Sequence, residues 1–178
     1  MTTIDKPNKV DDKVLFVCSS NVNRSQIAEA LFNYLTGTNR ADSAGIDVNR
    51  KYPELETVRQ VEENTAKSSF VAESLATRGI EVDTSQLLRQ QLTPEMIPLY
   101  KLVVHFVSPE KRPDWLGGGN VIFWDVFDPH ARSLDAVLQA LNEIEPRVEK
   151  LIELDKSGGD FRELDDDDID AEANRVAR

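Results

Sequence analysis

The sequence predicts an α/β fold: an open sheet of parallel strands flanked by helices, built as a single domain. Two observations carry this reading. Short, continuous apolar runs alternate along the chain with longer stretches of helical periodicity, an order that calls for parallel strands joined by right-handed crossovers. In addition, 178 residues with 40% hydrophobic and 30% charged side chains are enough to bury one core without staples.

Residues 1–12 are polar and are expected to form a loose extension. Val14, Leu15, Phe16 and Val17 are all apolar, as in a strand buried on both faces. Over residues 26–35, Ile27, Ala30, Leu31, Tyr34 and Leu35 recur at helical spacing, with Gly37 as the stop. A brief strand is expected over 40–44. Residues 54–78 read as one or two helices, with Leu55, Val58 and Val61 on one stripe and Val71 and Leu75 further on. Gly79 is the expected C-cap, and 80–82 resume in extended form. Thr93, Pro94 and Glu95 mark a helix start, since proline suits the first helical position. Residues 102–107 and 121–124 are the next buried strands, separated by a turn at Gly117, Gly118 and Gly119.

The last helix is expected over 133–154, where Leu134, Val137, Leu138, Leu141, Ile144, Val148, Leu151 and Ile152 share a face. Pro146 lies inside it and is predicted to kink or break it. Beyond Leu154 the chain turns polar, and the acidic run over 163–170 reads as a solvated tail. The domain is therefore drawn over 13–154, between an extension over 1–12 and an acidic tail over 155–178.

The net charge of -11 and pI near 4.7 argue against nucleic acid and anionic membrane as partners. Any anion site must then make its own local positive field. A single cysteine excludes an internal disulfide framework and suits a reducing, cytoplasmic setting. No signal-peptide core and no bilayer-length apolar run occurs in the sequence. One cysteine and two distant histidines provide no zinc spacing, and no metal or other cofactor is expected. His105, inside an apolar run, reads as a core histidine.

In open α/β sheets ligands bind beyond the carboxyl ends of the strands, and Cys18 stands at the end of the first. Six residues later comes Arg24, whose planar fork of donors suits a tetrahedral dianion. The amides of Ser19, Ser20, Asn21, Val22, Asn23 and Arg24 can curl into a nest, and the helix starting near Ser25 adds its positive end. All three effects favour a reactive thiolate at Cys18. Asn21 suits the left-handed backbone of a tight loop, and Ser25 is placed to hydrogen-bond the sulfur. A lone cysteine ending a buried strand can also be an inert hydrophobe. The strand before it, the helix after it and an acid downstream favour the reactive reading.

That acid is Asp128, stiffened by Pro129 in the loop before the last helix. A carboxylic acid there can protonate a departing alcohol or phenol, then take a proton from attacking water. Asp125 competes locally, but it follows the apolar Trp124 and lacks the proline.

Together these residues resemble the low-molecular-weight protein tyrosine phosphatase family, including its arsenate reductase branch, over roughly 13–154. The resemblance rests on Cys18, Asn21, Arg24 and Ser25, on Ala41, Asp42, Ser43, Ala44 and Gly45 after the first helix, and on Asp128 with Pro129. It implies a four-stranded parallel sheet, with Cys18 as nucleophile, Arg24 as phosphate ligand and Asp128 as general acid and then base. It also implies that Asn21 and Ser25 shape the loop and assist the sulfur.

Ser20 stands where the family usually has glycine, Asn23 where many members have a second cysteine, and His130 where the phosphatases usually have tyrosine. The segment between Gly45 and Gly79 is longer than usual. Tyr52, beside Arg50 and Lys51, is its candidate contribution to a substrate wall, and His130 is the candidate opposite. Gln26 after Arg24 and Ser25, and the run from Trp124 to Pro129, look more like the reductase branch. A reductase would need an external thiol of the mycothiol or glutathione type, because the chain has no relay cysteine. Hydrolysis of a phosphorylated protein or small phosphomonoester through a phosphocysteine needs only water. A silent anion-binding module is the reading from another class.

Overall fold

The structure, a computed structural model, describes residues 10–168. Four parallel strands form one sheet: β1 (Val10–Cys18), β2 (Ala41–Gly45), β3 (Tyr100–His105) and β4 (Val121–Phe123), in the order β2-β1-β3-β4. The expected α/β class and the strand count implied by the resemblance both hold. β1 lies between two neighbours, and Val14, Leu15, Phe16 and Val17 are completely buried. Alternation along β1 sends Val14, Phe16 and Cys18 into one core and Leu15 and Val17 into another.

The first core is roofed by three helices: α1 (Arg24–Thr36), α3 (Val71–Ala76) and α4 (Leu134–Ser157). Trp124 sits within it against Phe16 and Phe106. The second core is closed by a 3-10 helix over Pro94–Leu99 and by Leu92, Val107 and Leu116. Cys18 thus faces the helical side, at the strand end from which the chain turns into α1.

Local chemistry accounts for most boundaries. α1 stops at Gly37, in the left-handed region, as expected. The long segment before Gly79 forms two helices. α2 (Val58–Thr65) starts at a Thr57–Gln60 capping box and ends at a left-handed Ala66. α3 follows a left-handed Phe70 and is already finished at Thr77, so Gly79 closes the following turn rather than capping the helix. Residues 80–82 join no strand, although Ile80 is buried. The start at Pro94 yields a 3-10 turn rather than an α-helix, since Pro98 follows within a few residues.

Three further expectations are corrected. Residues 10–12, assigned to the loose extension, belong to β1: Val10 pairs with Tyr100 beyond an irregularity marked by Asp12 at φ 82. Residues 1–9 lie outside the described residues. Pro146 does not break α4, which runs through it as one helix. An interior proline costs about 3 kcal/mol, whereas Leu141, Ile144, Val148 and Leu151 on either side are fully buried and contribute roughly 1.5–3 kcal/mol each. Arg147 also donates to the Glu143 carbonyl in the disturbed turn, at 2.9 Å.

The acidic run is not a solvated tail as far as Asp168. A second 3-10 helix (Phe161–Leu164) turns the chain back onto the sheet edge, and Asp165 is 3% exposed. Its carboxylate accepts from the Phe123 amide of β4 at 3.0 Å and from Arg162 at 2.9 Å. Asp166 accepts from the Asp125 amide, and Asp167 pairs with Arg112. Asp170, the end of the predicted run, lies outside the described residues. Asp165 and Asp166 therefore accept from backbone amides at and just beyond the edge strand, and Asp167 adds an ion pair beside them. Among the described residues no helix is long and apolar enough to cross a membrane.

Replacing Asp165 with Ala leaves the Phe123 amide without its acceptor and removes the carboxylate from Arg162, which keeps the Val121 and Gly118 carbonyls. The expected loss is about 2 kcal/mol of stability, read as a lower urea midpoint at unchanged slope. Asp168→Ala, which removes no such contact, is the control.

Candidate active site

The turn between β1 and α1 wraps around a point just past the Cys18 sulfur, and Asn21 is what shapes it. Asn21 is completely buried, with φ 55, the left-handed conformation asparagine tolerates better than most residues. Its Oδ1 accepts from the Gln90 amide at 3.0 Å, which fixes the orientation of the side chain. Nδ2 then donates to both Ser25 Oγ and Ser43 Oγ, each at 2.9 Å. Because Ser25 accepts from Asn21, its own proton is left to point at Cys18 Sγ, 3.0 Å away.

Gly45, at the end of β2, lets this turn sit close. A Cβ there would come within 2.7 Å of the Ser19 carbonyl and 2.9 Å of the Asn21 nitrogen. The chain uses that approach to bond Ile46 to the Cys18 carbonyl and Asp47 to the Ser19 carbonyl.

Arg24 is anchored from the far side. Its guanidinium donates to the Phe106 and Val126 carbonyls, at 3.3 and 3.2 Å, beyond the carboxyl ends of β3 and β4. Its other arm lies 3.3 Å from Asp128 Oδ2, and the whole group rests over the Phe106 ring. Asp128 Oδ1 accepts from the His130 amide at 3.0 Å, and His130 Nε2 lies 3.6 Å from Oδ2. Asn23 donates to the Ser69 carbonyl at 2.7 Å, tying the turn to the α2–α3 connection.

Every residue named from the sequence except the buried Asn21 and Ser25 lines one open cavity of about 320 Å³: Cys18, Ser19, Ser20, Val22, Asn23, Arg24, Tyr52, Asp128 and His130. Cys18 is 4% exposed and forms part of its wall. Asp125, the rival acid, is not among the lining residues.

Two neighbours of the turn escaped the sequence reading. Arg89 is buried, and its guanidinium donates to the Ser20 carbonyl through two nitrogens, at 2.9 and 3.2 Å. It also donates to the carbonyls of Lys51, Tyr52 and Leu55 and lies over the Tyr52 ring. Burial pulls its pKa down, opposed by nearby Cys18 and Tyr52. The turn and the wall segment are thereby clamped by one cation. Nothing in its local sequence marks it.

The second is Glu29 on α1, which accepts from Ser43 Oγ at 2.9 Å and so ends the chain of bonds that begins at Cys18. Burial pushes its carboxyl up to about 7, with Asp42 adding to the rise and Ser43 and Lys13 opposing it.

Residues 13–160 match the model of the low molecular weight phosphotyrosine protein phosphatase family. The chain belongs to this family. Solved structures of similar fold include Vibrio vulnificus Wzb in complex with benzylphosphonate, 21% identical, covering 79% of this chain and 96% of that one at TM-score 0.58. An arsenate reductase in its oxidized state is 23% identical over 81% of this chain and 98% of its own, also at TM-score 0.58. The low molecular weight protein tyrosine phosphatase from T. tengcongensis is 26% identical over 79% and 97%, at TM-score 0.54. Comparison with curated proteins gives no match. Both branches of the family thus have members of this fold.

A buried histidine and a half-buried carboxylate link protonation to stability with opposite signs. His105, buried and stacked on Phe123, is lowered to about 3, chiefly by burial and also by Arg112. Its folded pKa lies below its unfolded value, so its contribution is present above about pH 6.5 and is lost as pH falls. Glu29 is raised, so its contribution is present below the unfolded carboxylate value and lost as pH rises through about 7. Between roughly pH 4.5 and 6.5 the two partly cancel. Glu29→Gln removes one side, and its unfolding free energy is expected to climb more steeply with pH there, by about one proton's worth of slope. An unchanged slope in urea titrations at stepped pH counts against this account.

Proposed function

We propose that the chain is a cysteine-dependent phosphomonoesterase acting through a phosphocysteine on Cys18. The observation that carries this is the convergence of Cys18, Arg24 and Asp128 on one cavity, with Ser25 at the sulfur. In this reading a phosphate dianion enters the turn, accepts from the amides between Ser19 and Arg24, and competes with Asp128 for the guanidinium. The Cys18 thiolate attacks phosphorus, the P–S bond forms, and the P–O bond to the leaving group breaks. Asp128 gives its proton to the departing oxygen. It then takes one from water, which attacks phosphorus and releases Cys18, with the Ser25 hydroxyl stabilising the sulfur as leaving group.

Ser20, Val22 and Asn23 form the walls of this subsite, and Tyr52 and His130 flank the leaving group. The substrate is a phosphorylated protein, phosphotyrosine included, or a small phosphomonoester. A single free cysteine suits work in the cytoplasm.

The arsenate reductase reading keeps one supporting observation, the reductases among structures of this fold. With Cys18 the chain's sole cysteine, it requires an external thiol to attack the arsenic adduct.

Hydrolysis of p-nitrophenyl phosphate by the wild type is expected to vanish in Cys18→Ser. In Asp128→Asn it is expected to fall by about 10²–10⁴, with the loss in kcat rather than KM. A wild type that hydrolyses no phosphomonoester but oxidises glutathione or mycothiol in the presence of arsenate would move the assignment to the reductase branch. Neither activity would leave a binding module.

A further inference from the structure

The cavity carries more positive charge than one phosphate requires. Besides Arg24, three lysines line it: Lys51 on the wall segment, Lys67 between α2 and α3, and Lys111 after β3. Asp128 is the single carboxylate in the lining, in a chain whose net charge is -11. All three lysines are exposed and none has an ion-pair partner among the described residues; Lys13, Lys101 and Lys150 do, and Lys156 on α4 is the one other described lysine without.

The segments of Lys51 and Lys67 are held by the same contacts that build the turn, and Lys111 is fixed by its own amide on the Ser108 carbonyl. Arg89 binds the Lys51 carbonyl at 3.2 Å, and Asn23 binds the carbonyl of Ser69, two residues past Lys67. Three segments far apart in sequence therefore bring unpaired ammonium groups to the rim of one cavity. An acidic surface otherwise repels anions, and leaving surface lysines unpaired there keeps their charge available to a ligand.

We propose that the rim is a second anion subsite, so that the preferred substrate is a phosphomonoester carrying a further carboxylate or phosphate beyond the scissile group. This rests on the phosphomonoesterase reading and narrows its substrate class. The first anion is held by Arg24 and the turn, and the second by Lys67 and Lys111, with Lys51 completing the ring. An acidic peptide around a phosphorylated residue and a sugar bisphosphate both have this chemistry.

Binding is measured on Cys18→Ser protein, which holds ligand without turning it over. Two matched pairs are compared: a phosphotyrosyl peptide flanked by Glu against the same peptide flanked by Gln, and a sugar bisphosphate against its monophosphate. At low ionic strength the doubly anionic member of at least one pair is expected to bind about tenfold more tightly. That preference should shrink in about 0.5 M salt and fall to one or below when Lys67→Glu and Lys111→Glu are added. Lys67→Gln with Lys111→Gln should fall between. Preference within the peptide pair alone assigns a protein substrate, and within the sugar pair alone a metabolite.

Equal binding within both pairs, or a preference that survives charge reversal, overturns the proposal. Failure of the phosphomonoesterase reading appears elsewhere, as absent turnover of p-nitrophenyl phosphate by the wild type.

Discussion

The structure depends on one buried amide. Five consecutive residues, 19–23, must turn within a single loop between β1 and α1, and that geometry places a left-handed residue at its centre. Asn21 takes the conformation and also satisfies its side chain completely: the Gln90 amide on one side, Ser25 and Ser43 on the other. A buried asparagine left half-paired would cost on the order of 1–3 kcal/mol. Fully paired, it transmits position from β2 and the segment before β3 to the atoms around Cys18. Gly45 completes the arrangement by removing the one Cβ that would keep β2 and the turn apart.

Around this amide the cations divide the work by what they hold. Arg24 is bound from behind by carbonyls beyond β3 and β4, leaving one arm toward the cavity, where Asp128 meets it. Arg89 faces inward and spends its donors on four carbonyls, of which that of Ser20 belongs to the turn. Lysine could not replace it, since a point charge cannot span carbonyls in several directions as a planar fork does. The position of Ser20 is thus supported through its carbonyl.

The sequence made the turn legible because its chemistry is local. Cys18, Asn21, Arg24 and Ser25 lie within one strand end and one helix start, and each residue type is nearly dictated by its task. Asp128 was legible through the proline beside it. Arg89 and Glu29 were not, because their roles exist only once the segment before β3 and the far face of α1 are folded against the turn. The same limit explains the tail: Asp165 reads as one more solvated carboxylate until β4 is seen to offer it an unpaired amide. Pro146 shows the converse, a strong local rule outweighed by the apolar face it interrupts.

Charge is placed with the same economy. Among the described residues many cations already have acidic partners: Arg40 and Lys101 with Asp155, Arg78 with Glu145, Arg112 with Asp167. Those pairs use up cations over much of the surface, so what remains unpaired has unusual weight. The unpaired lysines at the rim face a cavity whose floor holds a guanidinium and the positive end of α1, and the three sources add within a Debye length. A dianion approaching from elsewhere meets repulsion, and from the cavity mouth it meets attraction that deepens toward Cys18. The proposed selectivity for anions in so acidic a chain rests on where the unpaired cations among the described residues stand, and much less on overall charge.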